Sequence, residues 1–177
     1  MEILNSMDNN ASSKLFPVSW DQFHRDSKAL AWRLADKGDW SAIIAVTRGG
    51  LVPSAIVARE LNIRVIETVC VTSYNPEHQR GDIEVLKRIS DSLLSDPNFK
   101  SDTILCIDDL VDTGTTARLV REKLPNAHFA TIYAKPAGRP MVDTFVTEVS
   151  QNTWIHFPWD LSLQFARPIA ADDETNN

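Results

Sequence analysis

The chemistry of this chain concentrates in Ile107-Asp-Asp-Leu-Val-Asp-Thr-Gly-Thr-Thr116. Thr103 to Ile107 reads as a strand, and it ends in two adjacent acids, Asp108 and Asp109. Asp112 and then Gly114 among threonines follow, where a helix should open. Backbone N–H groups at a helix start, with the hydroxyls of Thr113, Thr115 and Thr116 beside them, form a cradle for a phosphate monoester, and Gly114 allows close approach. Carboxylates this near would repel the phosphate unless something lies between. A magnesium ion, or sugar hydroxyls donating to the carboxylates, resolves the conflict. Each Asp taken singly could be a turn or cap residue; the full string is long enough to favour function. No G-x-x-x-x-G-K-[ST], G-x-G-x-x-G or G-x-S-x-G occurs, so neither a P-loop, a dinucleotide fingerprint nor a nucleophile elbow accounts for the site.

A second glycine turn, Thr47-Arg48-Gly49-Gly50, follows the β-branched run Ala42 to Val46. Alone it reads as a plain turn with a surface arginine. Beside the acidic segment it reads as an anion loop, in which glycine exposes amides and the guanidinium neutralises charge.

These turns need a scaffold, and the chain alternates strand-like and helix-like segments. Trp20, Phe23, Leu30, Ala31 and Leu34 share one helical face, with Ser19 and Gln22 as a capping box and Gly38 as the stop. Pro53 suits the first turn of a second helix running to about Leu61, whose Ile56, Val57 and Leu61 would pack on the preceding strand. Arg64 to Tyr74 reads as a strand. The polar stretch from Asn75 to about Lys100 reads as a long loop with a helical hint at Ile83 to Ile89, and Lys87 and Arg88 as a solvated helix face. A helix to about Leu124, ended by Pro125, and strands at His128–Ala134 and Thr144–Val149 follow. The expected fold is α/β, a mostly parallel twisted sheet with helices on both faces, whose ligands sit beyond the carboxyl ends of the strands.

The chain has 177 residues, 43% of them hydrophobic, with a net charge of −6. That is length for one domain with a real core, and a whole-molecule field that disfavours general nucleic-acid binding. Cys70 and Cys106 lie in apolar runs, as small buried thiols do. The four histidines are scattered without zinc spacing, and His24 reads as structural. No stretch has signal-peptide or membrane-span character. The polar ends, residues 1–14 and 171–177, are expected to be flexible, leaving a single domain over 15–170.

The acidic pair and phosphate loop resemble the type I phosphoribosyltransferases. VTRGGLVP (Val46–Pro53), ETVCVTSY (Glu67–Tyr74), AKPAGRP (Ala134–Pro140) and TWIHFPWD (Thr153–Asp160) are similar to the bacterial xanthine-guanine members. The resemblance spans about Val18 to Pro168. It implies that family's fold with a small hood, mainly residues 137–168. The activity implied is transfer of 5-phosphoribosyl from phosphoribosyl pyrophosphate (PRPP) to N9 of guanine or xanthine, and less well hypoxanthine. It also implies Mg²⁺, a homotetramer, and a cytoplasmic enzyme in peripheral contact with the inner face of the bacterial inner membrane.

Residue roles follow from the same resemblance. Asp108 and Asp109 face the ribose hydroxyls, Asp109 holds the metal, and Asp112 meets purine N7 and manages its proton. Leu110, Val111 and Thr113 to Thr116 complete the PRPP site, although the family usually has glycine where Thr115 stands. Arg48 and Gly49 take pyrophosphate, with a cis peptide before Arg48. Arg80 closes over pyrophosphate from a lid anchored by Ser73 and Tyr74. Lys135 donates to the purine 6-oxo group, the Ile155 carbonyl accepts from a 2-amino group, and Trp154 stacks on the base. For Trp159 stacking and core packing stay open, and Asp160 braces the hood. Two alternatives compete: a hypoxanthine-guanine enzyme, and a nucleotide-sensing regulator on the same fold. The acidic charge and the lack of room for a second domain argue against the regulator.

Overall fold

The computed structural model describes residues 14–72 and 84–160. Its elements are β1 (Lys14–Pro17), α1 (Trp20–Ala35), β2 (Ala42–Thr47), α2 (Leu51–Glu60), β3 (Val65–Thr72), β4 (Glu84–Lys87), α3 (Asp91–Ser95), β5 (Ile104–Val111), α4 (Thr115–Lys123), β6 (His128–Ala134), β7 (Thr144–Glu148) and β8 (Thr153–His156). Six strands form one sheet in the order β4-β3-β2-β5-β6-β7. Every pairing in it is parallel except β3 with β4.

Strands buried on both faces need apolar side chains at every position, and β2 has them: Ala42 to Val46 are all buried. Ile43, with Leu105 and Ile107 of β5, packs against Phe23, Leu30 and Leu34 of α1 and Val57 of α2. Ala42, Ile44 and Val46, with Cys106, pack on the other face against Leu93 of α3, Ala117 and Val120 of α4 and Leu124 just past its end. Fully burying a side chain the size of Leu30 contributes about 1.5–3 kcal/mol. α1 begins where Ser19 Oγ accepts from the Gln22 N–H at 3.2 Å. Trp20, expected on its buried face, is largely exposed and meets Trp159 at 6.0 Å between ring centroids.

Three further features of this scaffold differ from the sequence expectation. Within the segment Ile83 to Ile89, read as a helical hint, Glu84–Lys87 form strand β4, antiparallel to β3, and Ile83 lies outside the described residues. An unpaired edge of β3 would leave a row of backbone groups without partners, and four residues of β4 supply them. Lys87 consequently lies on a strand, where its Nζ meets Glu67 Oε1 at 2.6 Å. Secondly, β1 and β8 pair in parallel as a separate two-stranded sheet, fastening the start of the described chain to the hood. Thirdly, Cys106 is buried while Cys70 is partly exposed. The polar ends, apart from Lys14, lie outside the described residues.

Candidate functional site

The site opens where neighbouring strands stop at different heights. β2 pairs with β5 only as far as Ala45 opposite Ile107, then turns into α2. β5 was expected to end at Ile107, yet it continues to Val111 because β6 still pairs with it, Asp108 opposite Thr131 and Val111 opposite Ala134. Asp108 and Asp109 are therefore strand residues with a partner on one side and an open crevice on the other. The turn after β2 closes the far wall. A Cβ on Gly49 would stand 2.3 Å from the Asp109 carboxyl carbon, so only glycine lets these two segments approach so closely. The Thr47–Arg48 peptide is cis, and the Arg48 side chain is exposed.

Beyond Val111 the chain makes the expected loop. Gly114 adopts φ +80° as the N-cap of α4, a left-handed conformation that glycine takes without penalty. Thr113 and Thr115 hydroxyls lie 2.8 Å apart. A cavity of about 290 Å³ is lined by Asp108, Leu110, Val111, Asp112, Thr113, Gly114, Thr115, Thr116, Ala117 and Phe129. The free amides at the start of α4 face an anion-sized space, and the helix dipole adds partial positive charge there.

Asp112 sits at the rim of this cavity, half exposed. Its Oδ2 accepts from the Lys135 ammonium at 3.1 Å, and Lys135 is only 6% exposed. A buried ammonium requires a partner, and Asp112 supplies it. The backbone places Lys135 directly, because its N–H donates to the Val111 carbonyl at 2.9 Å. Asp112 Oδ1 accepts from Gln151 Nε2 at 2.7 Å. Nothing in the sequence pattern singled out Gln151, a loop residue without periodic neighbours.

On β8, Trp154 is 62% exposed and Ile155 is buried. The carbonyls of Asn152 and His156 accept from Lys14 and Val18. Alternation along a strand therefore turns the Ile155 carbonyl to the side away from β1. Trp159 packs as an aromatic: it stacks on Phe157 with centroids 4.9 Å apart and meets Phe23 edge-on at 5.0 Å. Arg80, Ser73 and Tyr74 lie outside the described residues.

The acidic pair is electrostatically costly as it stands. Burial in the crevice raises the Asp108 carboxyl well above the usual carboxylate range, and the neighbouring Asp109 charge adds to the rise. Burial likewise raises Asp109, opposed by hydrogen bonds from its neighbours and reinforced by the charge of Asp160. Among the described residues neither forms an ion pair, and no cluster of three acidic, His or Cys side chains makes a complete metal cage. Asp108 lines the cavity and Asp109 stands against the Gly49 turn; carboxylates are hard oxygen donors that suit Mg²⁺, which binds through one or two carboxylates, waters and substrate oxygens.

Residues 19–166 match the phosphoribosyl transferase domain family. The chain belongs to that family. Its structure is similar to a purine phosphoribosyltransferase from Pyrococcus horikoshii, at 24% identity over 86% of this chain and 99% of that one, with a TM-score of 0.70. It also resembles a hypothetical protein from Neisseria gonorrhoeae with bound ppGpp (20% identity, 86% and 92% covered, TM-score 0.69). A third similar structure is the Helicobacter pylori xanthine-guanine-hypoxanthine phosphoribosyltransferase (24% identity, 83% and 94% covered, TM-score 0.64). These likenesses establish the shared α/β fold.

Proposed function

We propose that this phosphoribosyltransferase is a purine salvage enzyme that moves the 5-phosphoribosyl group of PRPP to N9 of guanine or xanthine, and less well hypoxanthine. The products are GMP, XMP or IMP, and pyrophosphate. One observation carries the base assignment: the Asp112 carboxylate and the buried Lys135 ammonium stand side by side at 3.1 Å at the rim of the phosphate cavity. A 6-oxopurine presents O6 and N7 on one edge. Lys135 donates to O6 with a proton that Asp112 does not use, since an ammonium has three. Asp112 takes the N7 site and accepts the proton that leaves as N9 attacks. Adenine would turn an amino donor towards the ammonium and is disfavoured.

Thr113 to Thr116, with Leu110 and Val111 in the wall, hold the 5′-phosphate. Asp108 and Asp109 bind the ribose hydroxyls, and their negative charge stabilises the ring as it becomes cationic. Asp109 would hold Mg²⁺, whose bound charge offsets that of the departing pyrophosphate. The Gly49 amide and Arg48 receive the pyrophosphate, and Arg80 reaches it from the lid. Trp154 stacks on the base and the Ile155 carbonyl accepts from the guanine 2-amino group. The sequence resemblance extends the reading to a cytoplasmic homotetramer with peripheral contact at the inner membrane. Among the described residues no helix is long and apolar enough to cross a membrane.

The test is an assay with PRPP, Mg²⁺ and each of guanine, xanthine, hypoxanthine and adenine, identifying the nucleotide made. GMP and XMP in excess of IMP, without AMP, is the expected result. Inert xanthine would make the chain a hypoxanthine-guanine enzyme. A GMP-soaked crystal with the cavity at Asp108 to Thr116 vacant and the nucleotide elsewhere would overturn the assignment.

A further inference from the structure

We infer that Gln151 is a positioning residue for the base-binding acid, an assignment that rests on the purine-transfer reading above. Its amide has one possible orientation. Oε1 accepts from the Ala137 N–H at 3.0 Å, so Nε2 must be the group 2.7 Å from Asp112 Oδ1 and donates to it. The amide thereby ties two pieces of the site together. Asp112 lies on the phosphate loop, whereas Ala137 belongs to the turn whose Gly138 and Arg139 N–H groups donate back to the Lys135 carbonyl at 3.1 and 2.9 Å. Gln151 therefore holds Asp112 directly and the backbone of Lys135 through the turn.

The acid needs such a holder. Its side chain is 52% exposed, and an exposed aspartate rotates freely about two torsions unless both oxygens are engaged. With Lys135 on Oδ2 and Gln151 on Oδ1, the carboxylate plane is fixed.

Two substitutions separate positioning from tethering. Gln151→Glu keeps an acceptor for Ala137 but replaces the donor to Asp112 with a like charge. Gln151→Leu removes both contacts. Losing a hydrogen bond to a charged group predicts a kcat for GMP synthesis about 10- to 100-fold lower in both variants, with KM for PRPP within about twofold of the parent. A Glu variant with unchanged kcat beside a slow Leu variant would mean that Gln151 only tethers the turn, and would overturn the inference. The second measurement needs no substrate: side-chain amide NMR of the full chain. One Gln151 Nε2 proton should lie downfield and move upfield in Asp112→Asn. If the parent chain makes no nucleotide from any 6-oxopurine, the purine reading fails. The amide shift still decides whether Gln151 holds Asp112, and an unchanged resonance refutes it.

Discussion

Asp112 serves two masters, since the same carboxylate that neutralises buried Lys135 is also the proposed acceptor of the purine proton. Asp112→Asn keeps an oxygen for Lys135 and loses the base. Turnover should fall by about 10² or more, measured as steady-state GMP formation, while PRPP affinity changes little. Glu67 gives a prediction about stability. The Lys87 ammonium hydrogen-bonded to it, with the Thr68 N–H, lowers its carboxyl from an ordinary 4.5 to about 2. A depressed carboxyl stabilises the fold fully above about pH 4.5, and the contribution disappears as pH falls towards 2. Urea melts of the parent and Glu67→Gln should differ at pH 6 and converge near pH 2. The gap at pH 6 should narrow in high salt, because Lys87 is half exposed. Burial pushes the Cys106 thiol up to about 12, so in the native protein thiol reagents at neutral pH should label Cys70 first. Mass spectrometry of the labelled peptides reads the order.

The legible elements were those whose signals are local. Helical spacing from Phe23 to Leu34, the β-branched run at Ala42 to Val46, and the Thr-Gly-Thr-Thr opening of α4 each declare themselves within a few residues. Asp108, Asp109 and Thr113 to Thr116 stand out as a candidate site for the same reason. The rest depends on partners distant in sequence. β5 runs on through the acids only because β6 accompanies it past the end of β2, and EVLK becomes β4 only because β3 offers an edge. The Asp112–Lys135 ion pair and the Gln151 contact join residues that no short pattern connects. Gly114 tests the loop itself. Alanine there meets φ +80° and a Cβ 2.6 Å from Met141 Cγ, at a cost of about 1–2 kcal/mol from the left-handed backbone alone. Gly114→Ala should weaken PRPP binding by about tenfold in calorimetry. Adding Met141→Ala relieves the contact but not the backbone, so recovery should be partial.

At the scale of the whole molecule, an acidic chain of net charge −6 must bind polyanionic substrates through a local device. In the proposed reading a divalent cation held by Asp109 is part of it. EDTA should abolish turnover and added Mg²⁺ restore it; activity persisting in metal-free assays would count against PRPP as the donor. Light scattering should find four chains of 19.8 kDa each if the tetramer proposal holds. The β1–β8 pairing joins the two extremities of the described chain, Lys14 opposite Thr153. Those partners are separated in sequence by every strand of the large sheet, so their pairing has the longest loop to close, and the strand bearing Trp154 and Ile155 should dock late in refolding. A refolding chain would thus hold its phosphate loop, with Asp112 and Lys135, before it gains the surface proposed to stack on the base.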